Sequence, residues 1–306
     1  MLLIAVLAGL PSQGRCQQTI YFIENFDDAN FAARGWYDSP AGTVDVANHI
    51  LGSTGSFHCR WTQGGTKCAG GAPGRRLFTA SPTVYVSFWL KLGSAAVTWQ
   101  GSGKAYHPHV IYLLTDADGE YVEPAWCSLE FLIEPNLFTP RLAATDGRRI
   151  DTGQLGINLL GTGAPHAIGG GNGSQNATSH YYPNGVGTYA NGTFWDSPAA
   201  SFINNSWHHV EVYVAMNSIV DGVPKADGVL RFWVDGVLVI DQANVYLRSA
   251  QYAAQKFNQL ALLPWIGDGS PIAQDLWIDN LVVADQPPVS RMARDENNRS
   301  YSRTHR

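Results

Sequence analysis

The segment Val84-Tyr-Val-Ser-Phe-Trp-Leu-Lys-Leu92 alternates between two residue classes almost without a break. Successive strand side chains point to opposite faces, so Val84, Val86, Phe88, Leu90 and Leu92 form one apolar face. Tyr85, Ser87, Trp89 and Lys91 form the other, a set that packs poorly into a protein interior. Segments of this kind must lay their apolar faces against each other and leave their wet faces outside. Related patterns recur at residues 19–26, 109–114, 128–134, 141–144, 208–215, 228–234, 237–240, 257–263 and 276–283, with short runs near 44–51 and 56–61. Asp235-Gly236, between two alternating runs, is a hairpin signal. The helical candidate at 247–256 is short. The expected class is all-β, a two-sheet antiparallel sandwich with long loops.

Composition agrees. Of 306 residues only 15% are charged, while there are 32 glycines, 10 tryptophans, 13 tyrosines and 12 phenylalanines. That balance suits short strands and turns rather than a helical or disordered chain. The formal charge is −5, and five arginines lie in residues 287–306, so the body is more acidic still. General nucleic-acid binding is excluded on that ground. The apolar run over the first ten residues is too short to span a bilayer and has the length of a signal-peptide core. We therefore expect a signal-like segment at 1–18, one sandwich domain at 19–286 and a disordered basic tail at 287–306. The expected protein is a secreted or periplasmic monomer.

Four cysteines are present, Cys16, Cys59, Cys68 and Cys127. Cys59 and Cys68 flank Gly64-Gly65, a spacing open to a local hairpin disulfide or to two buried thiols. Asn172, Asn176, Asn191 and Asn204 each begin an Asn-x-Ser/Thr triplet in a polar, turn-rich stretch from 153 to 205. The tyrosines and Trp195 in that stretch favour an ordered loop.

Trp207-His-His-Val-Glu-Val-Tyr-Val214, followed by Gly228-Val-Leu-Arg-Phe-Trp-Val-Asp-Gly236-Val-Leu-Val-Ile240, resembles the late strand pair of concanavalin A-like sandwiches. These include family 16 glucanases, laminin-G-like modules and jelly-roll polysaccharide lyases of the glucuronan and alginate type. Phe22-Ile-Glu-Asn-Phe-Asp-Asp28 and Trp277-Ile-Asp-Asn-Leu-Val-Val283 are similar to the two ends of such domains. The resemblance spans about 19–285 and implies a jelly roll with one concave, groove-bearing sheet. By it, 84–92, 109–114, 128–134 and 257–265 would line the groove, and 207–214 and 228–240 would form the back. It also implies a structural Ca²⁺ shared by the first and last strands, at Glu24 and Asp279, and no organic cofactor. The same fold hosts lectins, hydrolases and lyases, so the reaction must be argued from side chains.

Three chemistries are open to such a groove, each with a polysaccharide as partner. Elimination from a uronic acid needs a base for the C5 proton, a proton donor for the leaving oxygen and a cation for the carboxylate. Lys104-Ala-Tyr-His-Pro-His109 with Tyr112 supplies these types, so His107 and His109 are the acid–base candidates and Lys91 the carboxylate contact. Trp89, Tyr112, Gln259 and Trp265 are the sugar contacts. Hydrolysis needs two carboxyls about 5–5.5 Å or 6.5–9.5 Å apart. Glu130 and Glu134 share a strand face, with Leu132 where family 16 glucanases carry an aspartate. Binding alone needs only Tyr85, Trp89, Tyr112 and Trp265 as stacking platforms. A uronate-cleaving lyase is the leading expectation, ahead of a hydrolase using Glu130 and Glu134 and a lectin-like module. His209, Glu211, Tyr213, Arg231 and Trp233 form a further polar face, expected to be a solvated back.

Overall fold

The computed structural model describes residues 17–93, 108–115, 130–136, 139–145, 187–189, 192–245, 247, 253–267, 269–291 and 294. The early strands are β1 (Ile20–Glu24), β2 (Trp36–Tyr37), β3 (Thr43–Asp45), β4 (Ser56–Trp61), β5 (Gly74–Ser81) and β6 (Thr83–Leu92). The middle of the chain gives β7 (His109–Thr115), β8 (Glu130–Asn136), β9 (Thr139–Thr145), β10 (Gly187–Tyr189) and β11 (Gly192–Asp196). Then come β12 (Trp207–Ala215), β13 (Ile219–Val220), β14 (Val223–Pro224), β15 (Gly228–Val234), β16 (Val237–Val245), β17 (Phe257–Trp265) and β18 (Gln274–Ala284). A 3₁₀ turn spans Phe31–Arg34. Among the described residues no helix is long and apolar enough to cross a membrane.

Two eight-stranded antiparallel sheets form the sandwich. The first runs β16-β15-β12-β6-β18-β4-β3, with β1 also on β18; the second runs β10-β11-β9-β8-β7-β17-β5-β2. The core lies between them, as the alternation requires. Val84, Val86, Phe88, Leu90 and Leu92 are all buried in it, and the second sheet contributes Ile111, Leu113, Ile133, Leu142, Leu260 and Leu262. Fully burying each such side chain favours folding by about 1.5–3 kcal/mol, enough together to make the in–out pattern decisive. Cys59 on β4 is bonded to Cys68, closing the loop that follows the strand.

Several expectations are corrected here. β6 pairs with β12 and β18, so 84–92 belongs to the sheet that carries the expected back, not to the sheet of β7, β8 and β17. Alternation specifies which residues face out, but not which sheet a strand joins. The strand β5 was not anticipated, because Gly74 and the turn-rich residues before it mask the pattern. Part of the long loop forms the β10–β11 hairpin that extends the second sheet beside β9. Pro287–Arg291 is likewise ordered against the first sheet, with Arg291 5% exposed, so the expected tail begins as part of the fold. The signal-like residues 1–16 and most of the 247–256 helical candidate lie outside the described residues.

Candidate functional site

The outer face of the second sheet gathers most of the chemistry. Strict alternation from Ile111 would turn His109 inward. Instead Val110 and Ile111 both reach the core, and a register shift between Leu262 and Trp265 sets Trp265 opposite His109. That irregularity turns the His109 ring to the outer face. It lies 6.2 Å from Tyr112 in a stacked orientation and 6.0 Å from Trp265. β-Bulges commonly re-aim a side chain in this manner.

The next strand supplies the partner for His109. Glu134 follows the core residue Ile133 and faces out, only 1% exposed, with Oε2 3.0 Å from His109 Nδ1. Its other oxygen is 3.9 Å from Arg141 Nε on β9, and Arg141 Nη2 donates to Asp196 at 3.1 Å. The result is an ion-pair chain across four strands, His109–Glu134–Arg141–Asp196. With Glu134 on Nδ1, the imidazole edge carrying Nε2 is turned away from the carboxylate. A buried carboxylate at that distance offsets the charge that a histidine base acquires.

A second polar cluster lies on the same face. Tyr37 Oη donates to Gln259 Oε1 at 2.8 Å, and Arg75 Nη1 to the same oxygen at 3.4 Å. Arg75 also donates to Asp38 at 3.1 Å and lies over the Tyr37 ring at 5.0 Å. Pairing of Ala261 with both Arg75 and Tyr112 places Tyr112 two strands from Arg75. The span from the strand of Arg75 to that of Arg141 is four strand spacings, roughly 19 Å. One face therefore offers a histidine, tyrosines, two guanidiniums and an amide, all set by β-sheet registry. The buried Tyr112, Leu114 and Ala261 form its apolar floor.

The expected site residues distribute as follows. His109, Tyr112, Gln259 and Trp265 share this face, and Trp265 is 41% exposed. Glu130 is on β8 opposite Leu114 and Thr145, but its side chain lies outside the described residues, as does His107. Trp89 and Lys91 do not join the group, since both are on the outer face of the first sheet. Lys91 Nζ donates to Asn48 Oδ1 at 3.0 Å and lies 5.2 Å above the Trp277 ring, while Trp89 tilts against His209 at 5.0 Å. The guanidiniums on the outer face of the second sheet are those of Arg75 and Arg141. Arg75, Arg141 and Tyr37 were missed; the alternation of Arg75, Leu77 and Thr79 against Arg76, Phe78 and Ala80 was the available signal.

The carboxylates expected to share a calcium ion serve separate networks. Glu24 accepts from Arg34 Nε at 2.9 Å, from Trp36 Nε1 at 2.7 Å and from the Phe26 N–H at 3.0 Å. Asp279 accepts from the Ile50 N–H at 2.9 Å and from Ser53 Oγ at 3.0 Å. Burial pushes the Asp279 carboxyl up, against those hydrogen bonds. A guanidinium already fills the place a cation would take beside Glu24, so calcium shared with Asp279 does not fit. Among the described residues no three His, Cys, Asp or Glu side chains gather as a metal site.

No family model matches the chain, and no curated protein matches it. Solved structures do. The marine PL-14 alginate lyase from Aplysia kurodai superposes with a TM-score of 0.54 at 11% identity, over 87% of this chain and 97% of that one. The alginate lyase vAL-1 from Chlorella virus gives 0.53 at 11% identity, over 87% and 100%. A double mutant of alginate lyase Aly36B in complex with alginate trisaccharide gives 0.50 at 12% identity, over 89% and 98%. The architecture is thus the jelly-roll β-sandwich seen in polysaccharide lyases, and the chain resembles those lyases in fold.

Proposed function

We propose that this chain is a secreted polysaccharide lyase that cleaves a uronic-acid glycan, of the alginate or glucuronan type, by β-elimination. The observation that carries the reading is the His109–Glu134 pair beside Tyr112, on a sheet face where Arg141 and the buried Arg75 and Gln259 also lie. In the reaction, His109 Nε2 accepts the C5 proton of the uronate, and the released electron pair forms the C4–C5 double bond. The C4–O4 bond breaks, and the Tyr112 hydroxyl supplies the proton to the departing oxygen. Arg75 and Gln259 hold the substrate carboxylate and offset the charge that builds on it as C5 loses its proton. Trp265 stacks on a neighbouring ring. The similarity in fold to alginate lyases favours this assignment over other chemistries, and the Cys59–Cys68 disulfide favours an oxidising compartment.

The test is incubation with alginate, glucuronan and neutral glucans while following ultraviolet absorbance of an unsaturated uronate. Elimination by the wild-type chain, reduced at least a hundredfold in His109→Ala, supports the reading. New reducing ends without that absorbance would point to hydrolysis by Glu130 and Glu134, and binding without products to a lectin-like module. Either result overturns it.

A further inference from the structure

The outer face of the first sheet holds a second polar constellation that the proposed reaction does not use. Glu211, in the middle of β12, is 2% exposed and faces outward beneath the segment that carries Arg291. It accepts from Tyr85 Oη at 2.7 Å and from Arg291 Nε at 3.0 Å, and Arg291 Nη2 meets its second oxygen. Ser87 Oγ lies 2.9 Å from His209 Nε2, and His209 Nδ1 lies 3.5 Å from Glu211 Oε2. Burial holds the His209 imidazole below its usual range and the Tyr85 phenol far above. Arg291 comes from the segment after Pro287-Pro288. Its Nη1 donates to Gly236 O at 3.0 Å, and it lies 5.8 Å over Trp233, pinning that segment across the sheet.

Between this segment and the sheet is a cavity of about 660 Å³. Trp89 and His209, with rings 5.0 Å apart, make an aromatic wall, and Tyr85, Ser87 and Glu211 make the floor. Gln18, Asp235, Ser290 and Arg294 stand at the rim. The order Ser87–His209–Glu211 resembles a nucleophilic relay. Here, however, the Glu211 charge is answered by Arg291 and its second oxygen stands 3.5 Å from the ring, so its role is to fix the wall. The charged lining balances, with Arg291 and Arg294 against Glu211 and Asp235.

We propose that this cavity is a second, non-catalytic glycan-binding site, which takes one or two pyranose units at the end of a chain. The sugar ring lies on the Trp89–His209 wall, and its hydroxyls bond to Asp235, Arg294, Ser290 and Gln18 at the rim. An aromatic face matches the apolar face of a pyranose, while vicinal hydroxyls match carboxylate and guanidinium forks. Because the lining is balanced in charge, recognition is through ring and hydroxyls rather than through a carboxylate, and binding changes little with salt. A site on the opposite sheet from His109 lets the protein hold one strand of a polymer while the other face acts on another.

The test uses the full chain carrying His109→Ala and saturation-transfer NMR with neutral gluco- and manno-oligosaccharides and with oligouronates. Contacts that persist in His109→Ala and weaken at least fivefold on adding Trp89→Ala support the site. Ser290→Trp, at an exposed rim position, fills the mouth without touching the core and must give the same loss. That variant in the otherwise wild-type chain leaves turnover of short oligouronates unchanged, which separates this site from the lyase reading. Binding indifferent to both substitutions, binding abolished by about 0.5 M salt, or no binding of any probe overturns the proposal.

Discussion

Replacing Glu134 by glutamine removes a charge without making a cavity, which makes it a clean probe of the proposed chemistry. The carboxylate is 3.0 Å from His109 Nδ1 and only 1% exposed. Opposite unit charges at that distance, with an effective dielectric constant near 20, attract by about 5 kcal/mol. Less is lost on substitution. Arg141 draws on the same carboxylate from 3.9 Å, and a glutamine amide keeps a dipole beside the ring. The expected cost to the proton-transfer step is about 2–2.7 kcal/mol, about a thirty- to hundredfold fall in kcat. Glu134 lies behind the imidazole rather than against a bound sugar, so KM should stay within twofold. The assay is initial-rate absorbance of the unsaturated product on the best-cleaved polyuronate, with melting temperature as a folding control. Arg141 keeps its Asp196 partner at 3.1 Å, so the fold should survive. A Glu134→Gln enzyme within threefold of wild-type kcat, beside an inactive His109→Ala, would refute the argument that the buried anion supports the base.

Two further outcomes bear on stability. The Cys59–Cys68 bond closes a short loop, with a sequence separation of 9. Loop-closure entropy assigns it about 2–3 kcal/mol. Calorimetry of the Cys59→Ala/Cys68→Ala double variant should show Tm lower by roughly 5 °C, and an unchanged Tm would remove the stabilising role. Asp45 is held near pKa 2, against 3.8 for a free aspartate: burial alone would raise it, but hydrogen bonds from Asn48, the Ala47 N–H and Trp277 outweigh that. A depressed carboxyl stabilises the fold above its unfolded pKa and ceases to do so as pH falls through its folded one. Urea titrations should therefore find Asp45→Asn less stable by roughly 1 kcal/mol above pH 4, after allowing for solvent screening, with the difference shrinking as pH falls toward 2 and gone below it. A gap that stays constant with pH contradicts the assignment.

The two faces of β6 are legible in its amino-acid pattern alone. Val84, Val86, Phe88, Leu90 and Leu92 all lie in the core, and Trp89 and Lys91 lie outside it. Which outer surface they join is not legible there, because β6 meets β12 more than a hundred residues later in the chain. His109 shows a different limit. Its motif is visible, but the departure from alternation at Val110 that turns its ring toward Glu134 is not. Arg75 and Arg141 escape notice because neither sits in a short motif with other chemical groups. They meet Gln259 and Glu134 only through sheet pairing.

Local order in the chain was enough to settle that this is a two-layer β protein, which side chains enter its core, and that Cys59 and Cys68 are near enough in sequence to bond. Those properties follow from a strand repeat of two residues and from short loops. Tertiary structure alone decided that His109, Glu134, Arg141, Arg75 and Gln259 form one surface while Trp89, His209, Glu211 and Arg291 form another. The physical reason is that hydrogen-bonded registry between strands distant in sequence is fixed cooperatively by the whole sandwich. No single segment carries that information.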